Sequence, residues 1–515
     1  MYRASGAFSL ERNKFIPERS KFFKTLNKVK WSEDSELFNL IEKDADISAP
    51  LKVGVLFSGG PASGGNNVIA GLFDAITDIN CNSELIGFLG GPSGLLTNDT
   101  KKINEMELLS CRNIGGFNLL GTGRTKIEEK DQLKKVLKVI DEIELNALVF
   151  IGGDDTSTTA YHLSNYLIRE KSECAVIVIP KTIDGDLKSN HIEISFGFDT
   201  ACKVYSEIIG NICIDAVSSL KYWHFIKVMG RKASHIALEC ALQTNPNIAI
   251  ISEEIGVNNT PLKEIVNYIV DAVEKRALCG RNYGVVLLPE GLLEFIPEMK
   301  KLILELNRIL AANDIIDNLT KESKFYYEVL PKDIQKQLLE ERDSHGNVKL
   351  SIIDTEKLIS WLVKRELCSR DSKIKFNAMH HFIGYEGRCA YPSIFDATYC
   401  YNLGYVGALL ARDKKSSVMA GLKNLTHSPN KWMPIGVKLS SMMCNEERNG
   451  VKKKVVKKTL VDLNGCVFKE FVKIREENKV ENNYYSPGPI QYFGEASKSV
   501  TKTLSIESSC ESNSQ

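Results

Sequence analysis

Two stretches decide the fold: Leu148-Val-Phe-Ile-Gly-Gly-Asp-Asp155 and Val176-Ile-Val-Ile-Pro-Lys-Thr-Ile-Asp-Gly-Asp186. In each, a short apolar run reads as a fully buried strand, and small or charged residues follow directly. Polar clusters at strand C-termini are where open α/β sheets place ligands. Gly152 and Gly153 let a ligand come close to the backbone, and Asp154 can hold a divalent metal. Lys181 supplies positive charge. Asp184 and Asp186, two apart, can accept a proton from a hydroxyl. Together these are the parts of a phosphoryl-transfer site. The plainer alternatives are an N-cap role for the Asp154–Asp155 pair and Asx turns at Asp184 and Asp186.

Further runs, Val53-Gly-Val-Leu-Phe57, Ile248-Ala-Ile-Ile251 and Val285-Val-Leu-Leu288, alternate with helical patterns. This interleaving predicts an α/β fold with parallel sheets covered on both faces. At 515 residues the chain is too long for one simple core, so two Rossmann-like lobes with additions are expected. Residues 1–50 read as an extension, 51–295 as the core, 296–377 as a helical insertion rich in Glu, Lys and Leu, and 378–494 as the return of the core. Residues 495–515 are serine-rich and expected to be disordered. The aromatics of the extension, Phe8, Phe15, Phe22, Phe23 and Trp31, are expected to pack on the core or on a partner subunit.

Net charge is +1, which gives no global reason to expect nucleic acid or an acidic membrane as partner. No window reaches the roughly 18 consecutive apolar residues of a membrane span. The 13 cysteines show no metal-binding spacing, and Met1-Tyr-Arg-Ala-Ser5 has no apolar signal region, so a cytoplasmic location is expected.

Further motifs follow the same strand-then-loop logic. Ser58-Gly-Gly-Pro-Ala-Ser-Gly-Gly-Asn-Asn67 lies between a strand and a helical pattern, a phosphate-binding arrangement that is neither a Walker A loop nor GxGxxG. A tight βα turn is the alternative. Gly121-Thr-Gly-Arg-Thr-Lys126 offers Arg124 as a phosphate fork, or is a solvated basic turn. Phe196-Gly-Phe-Asp-Thr-Ala201 reads as packing behind the site. Arg231 closes Lys221-Tyr-Trp-His-Phe-Ile-Lys-Val-Met-Gly-Arg231 and can touch a phosphoryl group, whereas His224 and His235 read as structural. Glu290 in Pro289-Glu-Gly291 can accept sugar hydroxyls, and Gly384-Tyr-Glu-Gly-Arg388 offers an aromatic hydroxyl and a guanidinium to a terminal phosphate.

Taken in order from about Val53 to Ala397, these motifs resemble the phosphofructokinase family, closely its long-chain, pyrophosphate-dependent branch; Gly488-Pro-Ile-Gln-Tyr-Phe-Gly494 is similar to that branch as well. The resemblance implies reversible, magnesium-dependent phosphoryl transfer from diphosphate to the 1-hydroxyl of fructose 6-phosphate, giving fructose 1,6-bisphosphate and phosphate. It implies Asp184 as proton acceptor, Asp186 assisting with charge and metal, Arg231 and Lys181 in catalysis, and Asp154 as the magnesium residue. Gly59, Gly60 and Arg124 would hold diphosphate. Thr182, Ile183, Met229, Gly230, Arg231, Glu290, Tyr385 and Arg388 would surround the sugar phosphate. Lys221 and Tyr222 match positions that reach a neighbouring subunit's substrate, so a homo-oligomer, dimer or tetramer, is expected.

Donor choice has a physical argument. ATP-dependent relatives carry glycine where this chain has Asp155 and Lys181. A carboxylate at 155 would crowd and repel the α-phosphate of ATP, and a lysine at 181 suits a small, highly charged donor. The branch pattern is broken at Asn66, where histidine is expected, and at Trp223, where tyrosine is usual. The alternatives are an ATP-dependent kinase, sedoheptulose 7-phosphate as a further acceptor, and a non-catalytic regulatory subunit. The last would have lost the base or Met-Gly-Arg, which this chain keeps.

Overall fold

The computed structural model of the chain describes residues 17–44, 49–311, 316–340, 342, 346–448 and 451–513. Its strands are β1 (Val29–Glu33), β2 (Leu37–Glu42), β3 (Lys52–Phe57), β4 (Glu84–Phe88), β5 (Thr100–Lys102), β6 (Ala147–Gly152) and β7 (Ala175–Pro180). There follow β8 (Trp223–Val228), β9 (Ile248–Ala249), β10 (Gly284–Pro289), β11 (Ala378–Ile383), β12 (Val418–Lys423) and β13 (Met433–Lys438). The chain forms two compact units. The first takes the described residues through Ala201, then Arg388–Thr459 and Gln491–Val500; the second takes Cys202–Gly387, Leu460–Ile490 and the described residues from Thr501.

The first unit holds a nine-stranded sheet in the order β1-β2-β13-β12-β7-β6-β3-β4-β5. Strands β12, β7, β6, β3 and β4 run parallel, as the apolar runs predict. At the margins of this sheet β13, β2, β1 and β5 pair antiparallel. Strands β1, β2 and β13 come from the extension and the return of the chain, and the short connections β1–β2 and β12–β13 allow the reversal of direction. Leu56, Leu148, Phe150, Val176 and Val178 form its core, each worth about 1.5–3 kcal/mol when fully buried.

Helix Gly65–Ile79, which follows the first glycine loop, crosses helix Ile394–Arg412 at very close range. Two glycines permit it: a methyl on Gly71 would strike the Tyr401 carbonyl, and one on Gly404 the Val68 carbonyl. The extension is tied to the second of these helices. Ser20 N–H donates to Asn402 Oδ1 at 3.0 Å, Arg412 donates to the Leu26 and Val29 carbonyls at 2.9 Å each, and Trp31 Nε1 donates to the Leu409 carbonyl at 3.3 Å. Phe22 and Phe23 are buried; Phe8 and Phe15 lie outside the described residues.

The second unit has a four-stranded parallel sheet in the order β11-β8-β10-β9. The run at Ile248 pairs over only two residues, because the chain turns into helix Ser252–Val257. Helices Pro297–Ala311, Lys321–Val329, Lys332–Glu340 and Thr355–Ser369 occupy the stretch read as an insertion. They share one core with the sheet, in which Leu302, Leu306, Ile359 and Val363 cluster with Phe225, Val286 and Leu288. Lys227 of β8 reaches across to the Ile353 carbonyl at 2.7 Å and to Glu356 at 3.5 Å.

The expectation of disorder from 495 onward is corrected. Residues Lys502–Asn513 form a helix whose first amides, Lys502 and Thr503, donate to the buried Glu239 carboxylate at 2.8 Å each. A distant carboxylate caps this helix, and composition cannot reveal that. Among the described residues no helix is long and apolar enough to cross a membrane.

Candidate active site

In the first unit the C-terminal ends of β3, β6 and β7 bring three of the sequence motifs together. Ser58 pairs with Gly123 as a parallel bridge, Gly59 N–H donates to the Gly123 carbonyl at 2.9 Å, and Thr122 Oγ1 donates to the Gly59 carbonyl at 2.8 Å. The two loops that are ambiguous by themselves are therefore laid side by side. Gly59 adopts φ +86°, a conformation that favours glycine.

Three cations face this pair of glycines. A methyl on Gly59 would sit 3.5 Å from Lys181 Nζ. One on Gly60 would collide with the Arg388 guanidinium and stand 3.7 Å from Arg124 Nη2. Glycine thus leaves open a bare backbone under Lys181, Arg124 and Arg388, which is a cradle for a compact polyanion. Lys181 is buried, and burial pushes its pKa down to about 8; Asp184 works against this, while Arg388 adds to it.

Helix Asp154–Arg169 begins with Gly153 at its N-cap, so Asp154 and Asp155 occupy its first turn without being the cap themselves. Carboxylates there are favoured by the exposed amides and the helix dipole. Asp155 points to solvent. The 182–188 loop is organised by Thr182, whose hydroxyl accepts from Asp184 N–H at 3.1 Å and donates to Asp186 Oδ1 at 3.3 Å. Gly185 between the two aspartates has φ +73°. Ile183 is buried, and Lys181 bridges to Phe196, which ties the Phe196–Ala201 motif to this loop.

One residue absent from the sequence reading joins the carboxylates. Lys458 Nζ lies 3.0 Å from Asp154 Oδ2 and 3.5 Å from Asp186 Oδ2. Burial alone would lower its pKa, but Asp154, Asp186 and Asp184 outweigh that and hold it above the ordinary lysine value. Asp154 responds in kind: burial would raise its pKa, and the Lys458 ammonium brings it below the ordinary aspartate value. Lys458 belongs to a lysine-rich run, Val451-Lys-Lys-Lys-Val-Val-Lys-Lys-Thr459, that reads as a solvated basic strand. The only sequence signal is that Val455 and Val456 are apolar within it.

The donor set fits magnesium. Asp154 and Asp186 are hard oxygen ligands, and a positive group already stands between them. Among the described residues no cluster of three or more His, Cys, Asp or Glu is arranged to hold a metal. Magnesium keeps several waters and takes one or two carboxylates plus substrate phosphates, and Asp154 and Asp186 would supply the carboxylates.

In the second unit, Met229, Gly230 and Arg231 leave the end of β8 and lie against Glu290 and Gly291 at the end of the adjacent β10. Glu290 N–H donates to the Val228 carbonyl at 2.9 Å and Gly291 N–H to the Gly230 carbonyl at 3.2 Å. A methyl on Gly291 would strike the Arg231 carbonyl, so the two loops need that glycine. From β11, a methyl on Gly384 would lie 3.2 Å from Met229 Cε, which brings Tyr385 to the same end of the sheet. Lys221 and Tyr222 do not join them. They precede β8, seven and eight residues along the chain from Met229 and thus roughly 23–26 Å away.

The phosphofructokinase family profile matches residues 52–409. The chain is 46% identical to a pyrophosphate–fructose 6-phosphate 1-phosphotransferase of Entamoeba histolytica over 94% of both chains. It is 47% identical to the beta 1 subunit of the like-named Arabidopsis thaliana protein, over 90% of this chain and 84% of that one. Its fold is similar to a pyrophosphate-dependent phosphofructokinase of Nitrosospira multiformis, with a TM-score of 0.57 at 17% identity over 87% of this chain and all of that one. With the profile matched over more than half of the chain and relatives at 46–47% identity over nearly all of it, the chain belongs to the phosphofructokinase family.

Proposed function

We propose that the chain transfers a phosphoryl group reversibly from diphosphate to the 1-hydroxyl of fructose 6-phosphate, yielding fructose 1,6-bisphosphate and phosphate. The observation that carries this reading is the convergence of Lys181, Arg124 and Arg388 on Gly59 and Gly60, a pocket of bare backbone under three cations. Relatives bearing the name of this activity match almost the whole chain.

Lys181 and Arg124 bind the donor, joined by Arg388, which the resemblance assigns to the sugar phosphate but which lies against Gly60, and Lys181 stabilises the charge that develops on the departing phosphate. Asp184 accepts the proton of the sugar hydroxyl as its oxygen bonds to phosphorus. Thr182 and Gly185 set the position of that carboxylate. Asp154, assisted by Asp186, would hold magnesium, which supplies charge neutralisation on the phosphate oxygens when bound. Arg231 and Tyr385 serve the sugar phosphate and Glu290 its hydroxyls. No covalent enzyme intermediate is needed, since positioning and charge account for the catalysis. Asp155 excludes ATP by crowding its α-phosphate. All thirteen cysteines are free thiols, which supports a cytoplasmic setting. The place of Lys221 and Tyr222 at the other end of β8 supports their use by a second copy, hence a homo-oligomer.

The test is coupled formation of fructose 1,6-bisphosphate with magnesium, comparing diphosphate with ATP at matched concentration. Turnover with diphosphate and none with ATP is expected. Turnover with ATP alone overturns the donor assignment, and none with either overturns the reading.

A further inference from the structure

Lys458 stands where a divalent cation would be most favoured. Its ammonium lies within 3.0 Å of Asp154 and 3.5 Å of Asp186, two carboxylates carried by different loops. It is held there from both sides. On one, Val456 N–H donates to Thr158 Oγ1 at 3.1 Å, and the Lys454 carbonyl meets His162 Nε2 at 3.3 Å, fixing strand Val451–Val456 on the helix that carries Asp154. On the other, Thr459 N–H donates to the Asp186 carbonyl at 2.8 Å and Thr459 Oγ1 to the Lys188 carbonyl at 2.6 Å. The backbone on both flanks of Lys458 is therefore bonded to the two elements whose carboxylates it bridges. A surface lysine in a basic run has no such fixing.

We propose that Lys458 is a place-holding counter-ion: it occupies the divalent-cation position between Asp154 and Asp186 and gives it up only when the cation arrives together with diphosphate. This rests on Asp154 being the magnesium residue. Free cation entering alone would face an ammonium at contact distance, a strongly unfavourable pairing in a partly buried site. Diphosphate changes the balance by bringing new acceptor oxygens. The lysine stem is long and flexible and its three donors rotate, so the ammonium can move from the carboxylates to a phosphate oxygen while its backbone stays fixed. Such a device lets the unloaded carboxylates stay ionised and close together without capturing stray cations. It also makes Lys458 a positioning residue of the donor site.

The experiment is titration of the full chain with manganese in the absence of diphosphate, following free manganese by electron paramagnetic resonance. Lys458→Met should bind manganese at least roughly tenfold more tightly than the parent, because the competing charge is gone. Lys457→Met removes an exposed neighbouring charge and should match the parent. Adding Asp154→Asn to Lys458→Met should return the affinity to the parental value. Parental affinity in Lys458→Met, equal tightening in Lys457→Met, or tight binding that survives Asp154→Asn each overturns the inference. Lys458→Gln serves for the same comparison if thermal unfolding shows the methionine variant to be misfolded. Diphosphate turnover by the parent without any divalent cation would sink the magnesium reading itself, a separate outcome.

Discussion

The glycine cradle at Gly59 and Gly60 and the carboxylate cluster of Asp154, Asp184 and Asp186 belong to the same unit, yet they are charged in opposite senses. Around the glycines three cations converge, with Lys181 buried and its pKa pushed down to about 8. Among the carboxylates Lys458 is held above its ordinary value. The two lysines differ in what opposes burial. Asp184 only partly compensates Lys181, and Arg388 adds to the strain; Lys458 bridges two carboxylates directly. A region left with excess positive charge is prepared for an anionic ligand, while carboxylates already bridged by an ammonium must exchange one cation for another.

Removing the buried charge should break the cradle most severely. Lys181→Met is expected to lower kcat/KM for diphosphate by about 10²-fold, the scale of a charged hydrogen bond lost in a buried site, measured by coupled assay. In the parent the same charge is present below about pH 8 and lost above it, since the Lys181 pKa is depressed. The apparent KM for diphosphate should therefore rise as pH passes 8. A methyl at Gly60 would displace Arg388 without removing it, so Gly60→Ala should cost roughly tenfold in the same parameter. Asp155→Gly should yield measurable turnover with ATP and a few-fold loss with diphosphate. Background rates with ATP would mean that Lys181 must change as well.

The smallest effect sharpens the comparison from outside both regions. Asp396 is fully buried and bonded to Gly197 N–H and Thr200 N–H at 3.0 and 2.9 Å, but it lies beside Asp199 rather than a lysine. Burial and that second carboxylate push it up to about 7, opposite to Asp154. The sign is then reversed from the usual aspartate: the folded state holds the proton more tightly, so this group's contribution to stability falls as pH rises from about 4 to about 7. Asp396→Asn should flatten that slope in urea midpoints measured across the interval. An unchanged slope would mean that the proton resides elsewhere.

Much of this site was legible because its residues follow strands. The apolar runs ending at Ile151 and Pro180 announce buried parallel strands, and the turns that follow place Asp154, Lys181, Asp184 and Asp186 at the C-terminal ends of adjacent central strands. Gly59 with Gly123 required tertiary contact to be told from ordinary turns. Lys458 was invisible for a different reason. It is one of five lysines within nine residues, and only the pairing of strand Val451–Val456 with its hairpin partner and its seat on helix Asp154–Arg169 select it. The pairing of β2 with β13 and the helix capped by Glu239 share that difficulty, since each joins partners hundreds of residues apart. Local pattern carries the strand ends; distant pairing carries everything that neutralises or caps them.

The carboxylate cluster is expected to contribute the base and the glycine cradle the donor site. The most direct measurement is diphosphate-driven formation of fructose 1,6-bisphosphate by Asp184→Ala at saturating magnesium, alongside calorimetric binding of fructose 6-phosphate. A fall of about 10³-fold in kcat with sugar-phosphate affinity within about twofold of the parent is predicted. A parental rate in that variant would contradict the assignment of the base.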